Sequence, residues 1–268
     1  MDSLDRSLMY DLCETMSRRS IAVNPSIAVP ALEQTGRCSQ SLLSQAQTGR
    51  IRASWKVDEA SNFWRPGRPV LLAEVPSRGF LGTTIGVYQP LPYLAAWLAN
   101  HGPWKEAYKD GRDLFDVLGR DVKVGREEAK DVFYRFLQGV NPYPTEKVTW
   151  LNTLRSRVQS RVSRGHIETA FGTKIKVEEK SALGDYLRQT LTDALRVSVL
   201  DQFRVNGYVP RVILPDRIVL PHTIAVEYAK SMQKVSGFGF SVMLERCTET
   251  DEHLQDRWDV KGMQGDHP

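Results

Sequence analysis

Stretches of strict alternation and stretches of helical spacing follow one another along this chain, and together they predict its elements. Residues 1–20 read as a short helix, broken in the region of Pro25 and Pro30. From Gln34 to Trp55 the chain is polar and carries Gly and Ser. Pro66 and Pro69 punctuate a loop before a strand-like run, Val70–Val75; Pro76 and Gly79 then turn the chain into a second run, Phe80–Tyr88. Leu91–Leu98 and Trp104–Tyr108 have helical spacing. So does 126–138, where Ala129, Val132, Phe133, Phe136 and Leu137 gather on one side. A long helix is expected from about Thr145 to Arg164, with Val148, Leu151, Leu154 and Val158 inward. Residues 165–172 read as a strand entering a Gly turn, and 182–203 as a helix. Arg211–Leu214 and Ile218–Leu220 form a hairpin about Pro215-Asp216. A helix over 223–235 and a strand over 238–244 complete the pattern. Antiparallel strands with helices on one side predict an α+β fold. No internal repeat interrupts this order.

Composition narrows the class. Over 268 residues, 41% hydrophobic and 25% charged residues are those of a globular chain able to bury a sizeable core. No apolar run reaches the roughly 20 residues a membrane helix needs, so no membrane association is expected. The three cysteines, Cys13, Cys38 and Cys247, lie far apart, as do the five histidines, and neither set has metal-ligand spacing. A sparse, odd cysteine count and an N-terminus without a secretory pattern favour a reducing, cytoplasmic location. The net charge of +4 is mild, but its distribution is uneven. Between Thr145 and Lys180 the cations Lys147, Arg155, Arg157, Arg161, Arg164, Lys174 and Lys176 outnumber the acids, whereas residues after Thr248 are acidic and polar.

One helical stripe carries candidate chemistry. Arg126, Lys130 and Tyr134 recur every four residues and so stack on one face. Two cations followed by a ring could hold a polyphosphate and stack on its base; the plainer alternative is a solvated face.

Read in order, these segments resemble the palm and fingers of a family A DNA polymerase. The triplets Thr35-Gly36-Arg37 and Thr48-Gly49-Arg50 resemble the family's primer–template-contacting turn, either of them being its counterpart, and Asn62 stands where its Asn-rich loop follows. Pro76, Gly79 and Phe80 match the Pro-x-x-Gly-aromatic lead into the first catalytic strand, and Trp104–Phe115 resembles the stretch after it. Arg126-x-x-Ala129-Lys130 matches the fingers helix that grips nucleotide phosphates, with Tyr134 as the stacking ring. Arg164-Gly165-His166-Ile167-Glu168-Thr169, with Gly172, resembles the Arg-Gly-Tyr-Val-Glu-Thr-x-x-Gly run, and Gln189 fits the glutamine of the next helix. Gly207–Val219 falls in register with the second catalytic hairpin. The resemblance covers about residues 34–246 in unbroken order.

The departures fall on the chemistry. Family members hold two Mg²⁺ ions with two carboxylates. In the register set by Pro76 and Gly79, the first carboxylate falls at Gly86; Gln89 matches, but Leu91 and Tyr93 replace a glutamate and an arginine. Asp216 stands at the second position, either as a metal ligand or as a turn residue, flanked by Pro215 and Arg217 in place of His and Glu. Gln138 and Arg135 replace a tyrosine and a glycine in the fingers helix.

The resemblance therefore implies an antiparallel palm sheet backed by helices, a reduced fingers element and almost no thumb. Residues 1–33 would be an N-terminal helix or thumb remnant, 34–246 the palm with fingers inserted at about 95–165, and 247–268 a polar tail. The favoured reading is a pseudoenzyme: a non-catalytic, nucleic-acid-binding or structural subunit of replication, suited to a phage or mobile element in a host cytoplasm. Two other readings stand beside it, an active divergent DNA polymerase and a protein-interaction module. Partners would be nucleic acid, DNA ahead of RNA, and another protein chain. Arg126, Lys130 and Tyr134 would meet phosphate and base, and Arg37, Thr48, Arg50, Asn62 and Gln189 the nucleic acid. No resident cofactor is expected, and Mg²⁺ at Asp216 only if the chain is active.

Overall fold

The computed structural model describes residues 3–67, 72–140, 148–235, 237–247 and 253–258. In chain order the elements are α1 (Ser3–Ser17), β1 (Ser20–Ala22), α2 (Pro25–Gln34), α3 (Gln40–Gln47), β2 (Arg50–Arg52), β3 (Trp55–Asp58), β4 (Phe63–Pro66), β5 (Gly82–Val87), α4 (Pro90–Leu98), α5 (Gly102–Lys109), α6 (Leu114–Val122) and α7 (Arg126–Leu137). They continue with α8 (Thr149–Gln159), β6 (His166–Glu168), β7 (Lys174–Lys176), α9 (Ala182–Asn206), β8 (Val212–Leu214), β9 (Arg217–Leu220), α10 (His222–Val235), β10 (Val242–Cys247) and β11 (His253–Trp258). The fold is α+β. The chain forms two compact units, one of Met1–Tyr88 with Leu195–Trp258 and one built around Gln89–Ala194.

The first unit is organised by a five-stranded antiparallel sheet in the order β11-β10-β5-β9-β8. Its centre is β5, whose Thr83, Thr84, Ile85 and Val87 are buried between β9 and β10. Helix α10 packs on β5 and β10 and buries Ala225, Tyr228, Ala229 and Met232. The hairpin β3–β4 docks on α1: the buried Trp64 donates its indole N–H to the Met9 carbonyl at 3.2 Å, and Ser17 Oγ accepts from the Trp55 amide at 2.8 Å.

Several expectations need correction. In the run Val70–Val75, residues 70 and 71 lie outside the described residues, and Leu72–Glu74 is a 3-10 turn rather than a strand. Its apolar side chains explain the change, for Leu72 and Val75 are buried three residues apart, which suits one turn, not alternation. Pro25 begins α2 instead of breaking a helix. It sits at the first helical position, where a missing N–H costs nothing, and the Asn24 side chain caps the turn by accepting from the Ser26 amide at 3.1 Å. Helix α3 in the polar 34–55 stretch is likewise defined by its cap, with Ser39 Oγ accepting from the Leu42 amide at 3.3 Å. Part of the segment expected as a polar tail, His253–Trp258, pairs along β10 as an edge strand. The long helix expected from about Thr145 is described only from Val148, and spans Thr149–Gln159.

In the second unit, α6 and α7 pack together, α4 packs on α5, and β6–β7 forms a separate hairpin. Helix α9, 25 residues long, begins in the second unit and ends in the first, and carries much of its burial as polar groups: Thr190, Thr192, Asp193, Arg196, Ser198 and Gln202 are all buried. Thr190 and Thr192 bond back to carbonyls four residues earlier, and Gln202 donates to Ser231 Oγ at 2.6 Å. Polar groups satisfied in this way can sit in an interior without the desolvation cost of orphaned ones.

Candidate functional site

In the central strand, Gly86, which the resemblance aligns with the first metal carboxylate, has an arginine as its cross-strand partner. Gly86 and Arg217 are Cα partners in the β5–β9 ladder, so position 86 and the Arg217 side chain share one face of the sheet. A Cβ added at Gly86 would meet nothing nearer than the Asp216 carbonyl oxygen at 4.0 Å. The space for a side chain exists, and only the oxygen ligand is missing. Arg217 is held from behind by the 3-10 turn, its guanidinium donating to the Ala73 and Val75 carbonyls at 3.3 and 3.2 Å. Those carbonyls belong to no strand ladder, so the arginine satisfies acceptors that the turn leaves unused.

Asp216 lies in the two-residue loop between paired Leu214 and Arg217. Its side chain is 65% exposed, with Arg217 Nη1 at 3.8 Å from Oδ2. These residues do not fit a two-metal site. Glycine offers no oxygen, a single exposed carboxylate holds Mg²⁺ weakly, and the guanidinium would oppose a nearby dication by several kcal/mol. Among the described residues no group of three His, Cys, Asp or Glu side chains could hold a metal ion.

The α7 stripe has the expected geometry, with Ala129, Phe133, Phe136 and Leu137 buried beneath it. Its charge is less free than its spacing suggests. Arg126 is bridged to Asp113, Nε at 3.0 Å and Nη2 at 2.9 Å from Oδ2, and also to Glu127. The Asp113 contacts hold the Arg126 pKa above its ordinary value. Asp113 in turn caps α6 by accepting from the Phe115 and Asp116 amides at 2.7 and 3.2 Å. Burial would raise its pKa, but hydrogen bonds from Gln89, Arg126 and those two amides outweigh burial and hold the carboxyl below its usual range. Gln89, the residue that matched the first catalytic motif, stands before α4 in a left-handed conformation without a side-chain capping bond to it, and its Oε1 instead accepts from the Leu114 amide at 2.7 Å. Lys130 is exposed and, among the described residues, has no ion-pair partner. The Tyr134 ring is half-buried, 6.2 Å from Phe115 and 5.8 Å from Phe133; burial pushes its phenol pKa up and Arg188 partly offsets the shift.

Both Thr-Gly-Arg triplets are helix-ending turns of one design. Thr35 and Thr48 cap α2 and α3, each hydroxyl donating at 2.7 Å to the carbonyl three residues before it. Gly36 and Gly49 then take left-handed φ values of 60° and 76°, which glycine reaches without strain. The threonines and glycines are therefore committed to turn chemistry, while Arg37 and Arg50 are left exposed. Asn62, at φ 50°, presents its carbonyl to Arg196 Nη1 at 3.0 Å.

Gln189 leads to a cluster that the sequence reading missed. Its amide donates to Asp193 Oδ1 at 3.1 Å, and Asp193, 0% exposed, also accepts from Thr173 at 2.9 Å and from Thr169 at 2.6 Å. One carboxylate thus ties the β6–β7 turn to α9. The sequence signal was the pair of threonines flanking Gly172 with an aspartate four residues after Gln189.

No protein-family model matches the chain, and no curated protein sequence matches it either. Its fold is similar to that of a solved structure described as the POL domain of Pol1 from M. smegmatis in complex with DNA primer-template and dNTP. The TM-score is 0.58 at 15% sequence identity, over 78% of this chain and 50% of that one. The chain therefore spans about half the length of that domain, and the likeness is one of fold. No helix among the described residues is long and apolar enough to cross a membrane. The chain has a DNA-polymerase-like fold.

Proposed function

We propose that this protein is a family A polymerase-like scaffold that binds nucleic acid without catalysing nucleotide transfer, and that it serves as a structural or accessory subunit of replication beside another chain. The observation that carries this reading is the Gly86–Arg217 pair: a residue without ligand atoms, cross-strand partner of a tethered arginine, stands at the position that the resemblance aligns with a metal carboxylate. Transfer to a primer hydroxyl relies on metal ions to activate the nucleophile and shield the leaving pyrophosphate. Each absent ligand costs several kcal/mol of barrier. Nucleic-acid contact in this reading is made to phosphates, DNA ahead of RNA, with Arg37, Arg50 and Lys130 as exposed cations and Arg126 engaged by exchange from Asp113. Tyr134, half-buried against Phe115 and Phe133, would stack only in part.

Two measurements test it. Purified protein with Mg²⁺ or Mn²⁺, primer–template and all nucleotides should extend nothing, and Gly86→Asp should not restore extension, since Arg217 remains opposite. Extension by the wild type that disappears in Asp216→Ala would establish an active polymerase instead. The protein should nonetheless bind primer–template with steep salt dependence, each neutralised phosphate contributing about −0.9 to the slope of log K against log salt. Absence of binding at low salt would favour a protein-interaction module.

A further inference from the structure

Of the cations that the sequence concentrates between Thr145 and Lys180, Arg161, Arg164 and Lys174 line one recess outside the α7 stripe. A recess of about 610 Å³ is lined by Arg161, Arg164, His166, Glu168 and Lys174, among others. The β6–β7 register pairs His166 with Lys176 and Glu168 with Lys174, so these four share one face of the hairpin while Ile167 is buried on the other. Same-face residues along a strand are about 6.6 Å apart, which makes the cations a row, not a point. Arg161, Arg164, Lys174 and Lys176 are exposed, and none has a carboxylate within ion-pair distance among the described residues. The one acid in the recess, Glu168, is outnumbered.

The backbone adds a second observation. Ser163 and His166 exchange both amide–carbonyl bonds, at 2.8 and 2.9 Å, around Arg164 and Gly165 at φ 50° and 72°. A two-residue turn with both centres left-handed favours Asn-Gly. An arginine there is held in a conformation that L side chains avoid, and such strain clusters at functional positions. The platform beneath is firm, since Thr169 and Thr173 are both bonded to the buried Asp193.

We propose that the turn before β6 and the outer face of the β6–β7 hairpin bind the phosphodiester backbone of a nucleic-acid strand through Arg161, Arg164, Lys174 and Lys176. A row of exposed cations without carboxylate partners, Arg161 lying 5.7 Å from the Tyr186 ring centroid, fits a chain of regularly spaced phosphates better than a single compact anion, which Glu168 would oppose. The proposal rests on the nucleic-acid reading above and names a site that reading does not include.

The test is an anisotropy titration of a short labelled DNA strand at two salt concentrations, with wild type, Lys174→Gln/Lys176→Gln, Arg164→Asn and Glu168→Gln. Two lost phosphate contacts should weaken binding roughly 25-fold at 0.1 M salt and flatten the salt slope by about 1.4. Arg164→Asn should bind more weakly while melting higher, because Asn accepts the left-handed turn. Glu168→Gln should bind more tightly. Binding by the wild type that is unchanged in the lysine and Arg164 variants would overturn this site alone; no binding by the wild type would overturn it together with the nucleic-acid reading. Equal affinity for polyglutamate or anionic lipid vesicles, lost in the same variants, would overturn the assignment to nucleic acid.

Discussion

Two aspartates show how differently this fold treats a carboxylate. Asp193 is fully buried and receives hydrogen bonds from Thr169, Thr173 and Gln189. Asp216 is 65% exposed at a hairpin tip, with one arginine nitrogen 3.8 Å away. The first is fixed by donors on several elements and the second by almost nothing. A metal-binding carboxylate would show the features of neither: it would be accessible to an ion yet held in place by neighbours. The acidic group held by the most donors is therefore a structural one, while Asp216 is left exposed at its turn.

That contrast predicts the largest effect. Asp193→Ala leaves two buried threonine hydroxyls and the Gln189 amide without their acceptor and should destabilise by about 3–5 kcal/mol in chemical denaturation. Asp216→Ala should stay within about 0.5 kcal/mol. If the two variants unfold at the same denaturant concentration, the Asp193 cluster does not hold the β6–β7 turn to α9.

A middle-sized effect belongs to Arg217. Removing its side chain in Arg217→Ala orphans the Ala73 and Val75 carbonyls and should cost about 1–2 kcal/mol. A fold-neutral Arg217→Ala would mean that the arginine only occupies the place opposite Gly86 and does not brace the 3-10 turn.

How far these roles could be read from the sequence depends on where the information sits. Strand β5, the β8–β9 hairpin, α7, α9 and α10 follow from apolar spacing, while the pairing of Arg217 with Gly86 was not read, Arg217 having been placed only beside Asp216. Helices α2 and α3 do not follow from spacing, because each is short and set by a single capping side chain, Asn24 or Ser39, which periodicity does not register. The stripe of Arg126, Lys130 and Tyr134 was legible as a face but not as a charge. One of the two acids bridged to Arg126, Asp113, lies thirteen residues earlier on another element, beyond any helical repeat. The Asp193 cluster was hidden for the same reason, its donors being twenty and twenty-four residues away.

Asp113 offers the smallest and sharpest test, as an intermediate case between the two aspartates. It caps α6 and pairs with Arg126, and its folded pKa is lowered. A carboxyl whose pKa is depressed on folding stabilises the protein above its unfolded value, near 3.9, and loses that contribution as pH falls through the lower folded value. Because Arg126 is 44% exposed, solvent screens the pair, and the contribution should stay below about 1 kcal/mol. Wild type and Asp113→Asn should therefore differ by a constant amount from neutral pH down to about pH 5, and the difference should shrink below pH 4. Denaturation midpoints across that range, in low salt, provide the measurement. A difference that persists unchanged to pH 2 would show that Asp113 acts through packing and its neutral hydrogen bonds, and that its charge does not hold Arg126 away from a phosphate.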